Sequence, residues 1–530
     1  MQSSHVPDSW QQVRLGDFAL SEKGKKPSNE VSTPEDFLCI PYIDIEAFEK
    51  NILKSWTDGK NCRLCFEDDF LMVWDGSRSG YIGKGMFGAL GSTLVRINFP
   101  KINNRYAYYF LLSKYQEINT RAKGSGTPHV DPDLLWNYSF PIAPLVEQTR
   151  IVNKIEELFS EVDDGIQSLE TAKKQLDIYR ESILIQAFEG KLTEKWRNTQ
   201  INKPNDSYTL IESINKSQEY EFNNLLLLWK ENVKNWEKST KIEKKPAKPT
   251  KPKPFDDITE EIRLKHPIPS NWALFRLGNL FSISPQNGLY KPADQYNNYS
   301  TRIIRIDSFY NGKITEVDNL KQLNVTDDEL KTYQLSEHDL IINRVNSIEY
   351  LGKCAFVSKL DVNEPTVFES NIMRCKLIET VSPKYIAYYL SSIKGKNSLC
   401  LNAKHAVNQA SINQTDVGNA IIPLPNFPEQ IKVVELLEEN FEKIQILEKE
   451  ISNNLVILAK LKTSILTKAF LGELIPQDPN DEPASVLLER IKAEKEEELA
   501  KAKANKAPKK SGKRKTKARK EDEPAQQELI

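Results

Sequence analysis

The chain repeats itself, and the spacing of that repeat limits the possible folds more than any single motif does. Val6-Pro7-Asp8-Ser9-Trp10 followed by Arg14-Leu15-Gly16-Asp17 returns as Ile268-Pro269-Ser270-Asn271-Trp272 followed by Arg276-Leu277-Gly278-Asn279, displaced by 262 residues. The displacement is 269 between Tyr81-Ile82-Gly83-Lys84 and Tyr350-Leu351-Gly352-Lys353, and 280 between Ala107-Tyr108-Tyr109 and Ala387-Tyr388-Tyr389. It then stays at 282 from Pro141 and Pro423, through Glu147-Gln148 and Glu429-Gln430, to Ala187-Phe188 and Ala469-Phe470. Loops absorb insertions cheaply, whereas one extra residue in a packed helix rotates every later side chain by about 100° off its seam. Each copy is therefore expected to be a variable globular domain followed by a long helix of fixed length.

Periodicity gives the same helices independently. Every seventh residue is apolar through Ile155, Val162, Leu169, Leu176 and Ile183, and again through Leu437, Ile444, Ile451, Leu458 and Ile465. Ile151, Leu158 and Tyr179 flank the first series and Val433, Leu447 and Leu461 the second, among Glu, Lys, Gln and Asn, which is the pattern of a coiled-coil seam. Asn440 and Asn454 interrupt the partner column of the second helix. Pro141 and Pro144, then Pro425 and Pro428, mark the starts, and Gly190 and Gly472 the stops. A helix of ~43 residues is ~64 Å long at 1.5 Å per residue, which overhangs a domain of about 140 residues, so the two helices are expected to pair with each other.

The fold class is α+β: two globular domains separated by two long helices packed as an antiparallel coiled coil, in a pseudo-two-fold repeat. The expected divisions are residues 1–146, a helix over 147–190, a helical extension and linker over 191–267, a second domain over 268–428, a helix over 429–472, and a terminal segment over 473–530. Lys241 to Asp256 holds six lysines and four prolines and reads as a stiff, extended spacer. Ser207 to Lys216 resembles Ala484 to Ala493, so each copy carries a further short helix. Lys501 to Lys520 has eleven Lys or Arg and no acid; it reads as a solvated tail, with a phosphate-attracting arm as the sharper alternative.

Composition mainly excludes. The 530 residues carry 73 basic and 74 acidic side chains, a net charge of -1, so whole-chain electrostatics names no partner. Six scattered cysteines do not make a secreted disulfide scaffold, and Met1 to Trp10 lacks a cationic and apolar signal region, so a cytoplasmic location is expected. The longest aliphatic run, Leu225 to Leu228 and Trp229, falls short of the ~20 apolar residues that span a bilayer.

Reactive constellations are missing too. Gly83-Lys84-Gly85-Met86-Phe87-Gly88 spells a dinucleotide fingerprint, but Gly91-Ser92-Thr93 follows instead of a helix former run, and Gly352-Lys353-Cys354-Ala355-Phe356 keeps one of the three glycines. A turn between strands fits better. Cys62 and Cys65 form one CxxC with no second pair to complete a zinc set, and His5, His129, His266, His338 and His405 are dispersed. No metal site and no catalytic residue is assigned. A duplicated chain of this length without a reactive centre reads as a recognition protein.

Taken together, Pro-x-x-Trp-x-x-x-Arg-Leu-Gly at the head of each copy, the segments FPIAPLVEQTRIV and IPLPNFPEQIKVV, and helices ending Ala-Phe-x-Gly-x-Leu resemble the specificity subunit of type I restriction-modification systems. The resemblance covers nearly the whole chain except the basic tail. It implies two target recognition domains, each reading one half of a bipartite, asymmetric site in double-stranded DNA, and paired helices that act as spacer and dock two modification (methyltransferase) subunits. It also implies restriction (translocase and nuclease) subunits as partners. S-adenosylmethionine, ATP and Mg2+ belong to those partners, and no cofactor to this chain. Two readers on an antiparallel pair of equal rods would match the pseudo-symmetry of a duplex.

Base readers belong on polar, variable loops. The candidates are Ser77, Arg78, Lys84, Arg121, Lys123, Ser125, Thr127 and His129 in the first domain. In the second they are Asn343, Arg344, Asn346, Lys353, Lys404, His405, Asn408, Gln409, Asn413 and Gln414. Arg forks suit guanine, and Asn or Gln suits adenine, in the major groove. Tyr108, Tyr109, Tyr388 and Tyr389 fall in expected helices, where core packing outweighs base stacking. The alternative from another class is a coiled-coil scaffold with two protein-binding domains.

Residues 1–140 hold 16 basic and 17 acidic groups, and residues 268–421 hold 16 and 15, so neither domain has the positive excess of an autonomous DNA binder. Gel-shift titration of the isolated chain should therefore show weak, poorly selective binding; tight specific binding by the chain alone would contradict the shared-affinity reading.

Overall fold

The computed structural model describes residues 6–124, 126–200, 207–238, 245–251, 255–314, 319–362, 364–407 and 409–505. The chain divides into two compact units, residues 1–168 with 454–530, and residues 169–453. This division differs from the expected domain ends: both cuts fall inside the long helices, Leu145–Phe188 and Phe427–Leu471, so each unit holds half of each helix.

The first unit has a four-stranded antiparallel sheet in the order Leu20–Lys23, Leu94–Asn98, Phe70–Val73, Ile82–Lys84. A second sheet runs Trp56–Thr57, Ile40–Ile43, Gly88–Leu90, Leu64–Cys65, with one parallel pair. The strand Gln11–Arg14 pairs with Ser139–Ile142 and so closes the domain on its own first residues. The second unit repeats this frame. Its four-stranded sheet runs Phe281–Asn287, Ile372–Leu377, Leu340–Asn343, Cys354–Phe356, and Ala273–Arg276 pairs with Ile421–Leu424. Strands with buried runs such as FLMV and LIIN sit at interior positions of these sheets, as their mostly apolar composition demands.

The repeated motifs tie each sheet to the head of a long helix. In the first unit Gln148 Nε2 donates to Ala143 O at 2.8 Å, and its Oε1 accepts from Asn103 N at 2.9 Å, the N-cap of the helix Asn104–Thr120. In the second, Gln430 Nε2 donates to Pro425 O at 2.9 Å, and Oε1 accepts from Ser382 N at 2.8 Å, the N-cap of Pro383–Ser391. Tyr106 and Tyr385 are fully buried and donate to the carbonyls of Pro141 and Pro423 at 2.8 and 2.7 Å. Tyr109, Tyr388 and Tyr389 are likewise core, and Tyr108 stacks on Phe70.

The neighbouring glutamates are both buried but solved differently. Glu147 accepts from Trp10 Nε1 at 3.0 Å, and burial pushes its carboxyl above the usual range. Glu429 accepts from Thr193 Oγ1 at 2.8 Å, Arg197 Nε at 2.9 Å and Asn271 Nδ2 at 3.3 Å, while Trp272 Nε1 has no partner.

Within each unit the long helices pair antiparallel. In the first, Ile155, Val162, Ile465 and Leu466 share one core, Lys462 pairs with Asp163 and lies over Phe159, and Gly165 leaves room for Leu458. In the second, Ile183, Leu437 and Ile444 share a core with Leu176 beside it, and Arg180 reaches Glu448 at 3.3 Å. Ile451 is buried, and Leu169, Leu176 and Leu458 are half-buried. The flanking column departs from expectation: Tyr179, Leu447 and Leu461 are exposed. Ile151 and Val433 of the same column are buried and Leu158 is half-buried where each helix meets its own domain core, so this second seam column is covered only near the helix heads. The helices stop at Gly190 and Gly472, whose φ of +73° and +76° suits glycine after a helix end.

The further helix expected in each copy is present and longer than the matched segments. Ser207–Lys238 is a helix of 32 residues, anchored by buried Ile214, and its counterpart Ala484–Asn505 packs on the first unit through Leu487 and Ile491. Of the basic tail, residues 506–530 lie outside the described residues. Cys65 is buried, donates to Gly88 O, and has its thiol pushed up to about 12 by burial, which disfavours a thiolate ligand. Among the described residues, no helix is long and apolar enough to cross a membrane.

The Glu429 cluster yields a stability prediction. Glu429→Ala leaves the largely buried Arg197 guanidinium without its carboxylate and should cost about 3 kcal/mol in urea unfolding. Glu429→Gln, which keeps an acceptor, should cost clearly less. An alanine variant within ~0.5 kcal/mol of wild type would show that the cluster is not a fastening.

Candidate nucleic-acid interface

In each unit one strand of the four-stranded sheet runs out into a turn, and a hairpin from elsewhere in the chain lies against that turn. In the first unit the strand Phe70–Val73 leads to Trp74, Asp75 and Gly76, whose φ of +130° bends the chain. Ser77 and Arg78 stand exposed on the turn, held by Asn119 Nδ2, which donates to Ser77 O at 3.1 Å and Ser79 O at 3.0 Å. Residues 121–130 follow the helix Asn104–Thr120 and fold on themselves: Lys123 and His129 exchange backbone hydrogen bonds at 2.9 and 2.8 Å. This hairpin joins the turn through Gly76 N to Pro128 O at 2.8 Å and Val130 N to Trp74 O at 2.9 Å. Its tip holds Gly124, at φ +104°, and exposed Gly126 and Thr127; Ser125 lies outside the described residues.

The second unit builds the same device from regular strands. Leu340–Asn343 passes through Arg344 into Val345–Asn346, which pairs with Gln409–Ser411, which pairs in turn with Lys404–Ala406. Ile412 N donates to Arg344 O at 2.9 Å. Lys404, His405, Ala406 and Gln409 are exposed, and Val407 at the tip is 93% exposed; Asn408 lies outside the described residues. The bridge between Asp75 and His129 thus has its counterpart in the pairing of Val345 with Ser411.

Several expected readers do other work. Asn343 is fully buried, because it belongs to an interior strand: its Nδ2 donates to Tyr350 O at 3.1 Å, and it cannot meet a base. Lys353 donates to Ile306 O at 2.6 Å and lies 3.8 Å over the Tyr310 ring, and burial pulls its ammonium below the usual range. Asn413 caps the helix Gln414–Asn419, accepting from Thr415 N and Asp416 N, and Gln414 donates to Pro285 O at 2.7 Å. Asn346 Oδ1 accepts from Ser347 N, its own neighbour. Lys84 is exposed but pairs with Phe70, at the far end of that strand from the turn.

The cations on the hairpins and turns are partly engaged. Arg78 pairs with Glu49 at 2.7 Å and lies over Tyr81, Arg121 pairs with Glu117 at 3.0 Å, and Lys123 pairs with Asp131 at 2.9 Å. The Arg121–Glu117 pair is exposed on both sides and can release its cation to a stronger anion at little cost, whereas Glu49 and Asp131 are largely buried and hold Arg78 and Lys123 more firmly. Arg344 Nη1 donates to Ser370 O at 3.2 Å, while its Nε is buried without a partner.

A feature that the sequence reading missed adjoins Arg344. Ser370 and Asn371, which Arg344 touches, also line a cleft of about 590 Å³ with Tyr290, Arg305, Lys321 and Glu369. Tyr290 stands 77% exposed at its rim, and burial raises the Glu369 carboxyl. These residues come from four separate segments, so no local spacing signals them.

Comparison with known proteins agrees with this duplicated frame. A family described as the type I restriction modification DNA specificity domain matches residues 7–177 and again 269–455. Over 471 residues the chain is 26% identical to the type I restriction enzyme EcoKI specificity subunit of Escherichia coli strain K12, covering 85% of each protein. It is 23% identical over 516 residues to the EcoBI specificity subunit of Escherichia coli, covering 92% of this chain and 93% of that one. A chain from a solved structure concerned with complex assembly and conformational transition of the type I R-M system shares the fold, with a TM-score of 0.58 at 17% identity, over 89% of this chain and 100% of that one. Two matched copies, one on each strand-and-hairpin frame, place the chain in the family of type I restriction-modification DNA specificity proteins.

Proposed function

We propose that this chain is the sequence-reading subunit of a type I restriction-modification complex. Each hairpin-and-turn surface reads one half of a bipartite, asymmetric site in double-stranded DNA. The observation that carries this is the pair of equivalent hairpins on equivalent strand frames bearing different side chains: Arg121, Lys123, Thr127 and His129 on one, and Lys404, His405 and Gln409 on the other. A two-stranded ribbon fits the major groove, where Arg or Lys suits guanine and Gln suits adenine. The frame sets where a reader stands, and the hairpin sets what it reads.

The chemistry then belongs to partners. Two modification subunits transfer methyl groups from S-adenosylmethionine to adenine, and restriction subunits cleave with ATP and Mg2+, in the cytoplasm. The long helices offer such partners an apolar surface: Ile178, Tyr179, Ile446 and Leu447 in one unit, and Val456, Ile457 and Leu461 in the other, are exposed on helices whose other faces are already packed. Apolar side chains grouped outside a finished seam suit further helices, and near-neutral recognition domains suit a complex in which those subunits supply much of the phosphate grip.

Co-expression with a cognate modification subunit, followed by mapping of methylated adenines, should reveal a bipartite motif. Exchange of residues 1–140 for another recognition domain should change one half only. Unmodified DNA despite complex formation would favour the scaffold reading, and a change in both halves would refute independent readers. A second measurement separates reading residues from frame residues. Lys404→Ala and Gln409→Ala should change discrimination at the second half-site by about tenfold while unfolding free energy stays within ~0.5 kcal/mol. Lys353→Ala should destabilise the fold; equal behaviour of the two groups would remove the distinction.

A further inference from the structure

The segment joining the two copies is fastened down at two places. Residues 245–251 run back along the helix Ser207–Lys238: Trp229 Nε1 donates to Pro246 O at 2.9 Å, Lys248 lies 5.9 Å over Trp229, and Lys245 lies 5.8 Å over Trp236. The spacings agree. Three residues of extended proline-rich chain cover ~9.3 Å, and seven residues of helix cover ~10.5 Å, so successive Lys-Pro steps meet successive tryptophans.

The second fastening is Phe255. Its N–H donates to Asn279 Oδ1 at 3.2 Å, and Arg276 Nε donates to Asp256 O at 2.8 Å. Its ring fills a slot between two glycines: a Cβ added to Gly278 would lie 2.0 Å from Phe255 Cε2, and one added to Gly418 would lie 2.0 Å from Phe255 Cζ. Among the described residues the first copy has no such visitor. Gly16 holds the place of Gly278 after Arg-Leu, and Trp136 holds the place of Gly418, at the same 282-residue offset as Pro141 and Pro423. There the helix Pro132–Trp136 closes on the turn directly, with Trp136 Cβ 2.9 Å from where a Cβ on Gly16 would stand, and Trp136 packs on its own core. The second copy has glycine where the first has this tryptophan, and a ring from the linker lies between its two glycines.

Gly418 lies in the helix Gln414–Asn419, which two residues separate from the hairpin strand Gln409–Ser411, the second of them, Asn413, being its cap. Arg276 Nη1 also donates to Asn419 Oδ1 at 3.2 Å, beside the ring. We infer that Phe255 is a positioning residue for the second recognition hairpin: the linker ring wedges the helix at the hairpin's foot and so fixes where Lys404, His405 and Gln409 stand. This rests on the DNA-reading function proposed above, and it gives the linker a part in specificity that a spacer would lack.

The test uses the full chain co-expressed with a modification subunit, as wild type, Phe255→Ala, Gly418→Trp and the double variant. Phe255→Ala leaves the slot empty, and Gly418→Trp drives the ring out; the double variant rebuilds the arrangement of the first copy. Amide hydrogen exchange without DNA should quicken at residues 409–419 in each single variant and return towards wild type in the double. Discrimination at the half-site that stays constant when residues 1–140 are exchanged should fall about tenfold in each single variant, recover to within about threefold in the double, and leave the other half-site unchanged. Unaltered exchange in Phe255→Ala, equal loss at both half-sites, or a double variant no better than the singles would each overturn the inference. If exchange responds as described but the wild-type complex methylates no bipartite motif, the wedge stands as a structural feature and the reading function is what fails.

Discussion

A buried glutamine at the head of each long helix joins three elements that would otherwise be independent. Gln148 and Gln430 each donate to the carbonyl of a Pro-rich strand exit and accept from the N-cap of the helix that covers the sheet. An amide has both a donor and an acceptor, so one side chain satisfies backbone groups of two different elements at once. The buried tyrosine on the next strand carbonyl adds a second fastening in each copy. The recognition domain is therefore held to its helix by hydrogen bonds of fixed direction, and a hairpin built on that domain inherits the placement.

The two copies keep this joint while varying what surrounds it. Glu147 has one donor, an indole, and a carboxyl raised by burial, whereas Glu429 has a guanidinium, a hydroxyl and an amide. Trp136 closes its turn from within, whereas Gly418 needs Phe255 from outside. The same frame tolerates different solutions because the backbone geometry is fixed by the strand pairings Gln11–Arg14 with Ser139–Ile142 and Ala273–Arg276 with Ile421–Leu424. Side chains that only fill or satisfy that frame are free to change.

The duplicated frame, the long helices and the family were legible because they depend on period and order. The apolar residues at every seventh position pair as a seam since a helix repeats its faces in sequence, whether or not the partner is known. Tyr179, Leu447 and Leu461 were misread for the same reason: they share the period, but only contact with a partner helix decides burial, and a single partner does not reach them. Polarity alone did not separate the candidate readers by exposure. Lys404, His405 and Gln409 stand exposed on a hairpin, while Asn343 and Lys353 have equally polar chemistry and are held inside by Tyr350 and Ile306.

The sequence alone determined that there are two copies and that each carries a rod of fixed length. Those properties are recorded in spacing along the chain, which needs no folding to be read. Tertiary structure decided which polar loops became hairpins, which joined the interior, and that a linker phenylalanine lies beside Gly418, where the first copy has Trp136. These outcomes depend on neighbours separated by tens or hundreds of residues, and the space that Gly278 and Gly418 leave is visible only when both lie beside the same ring.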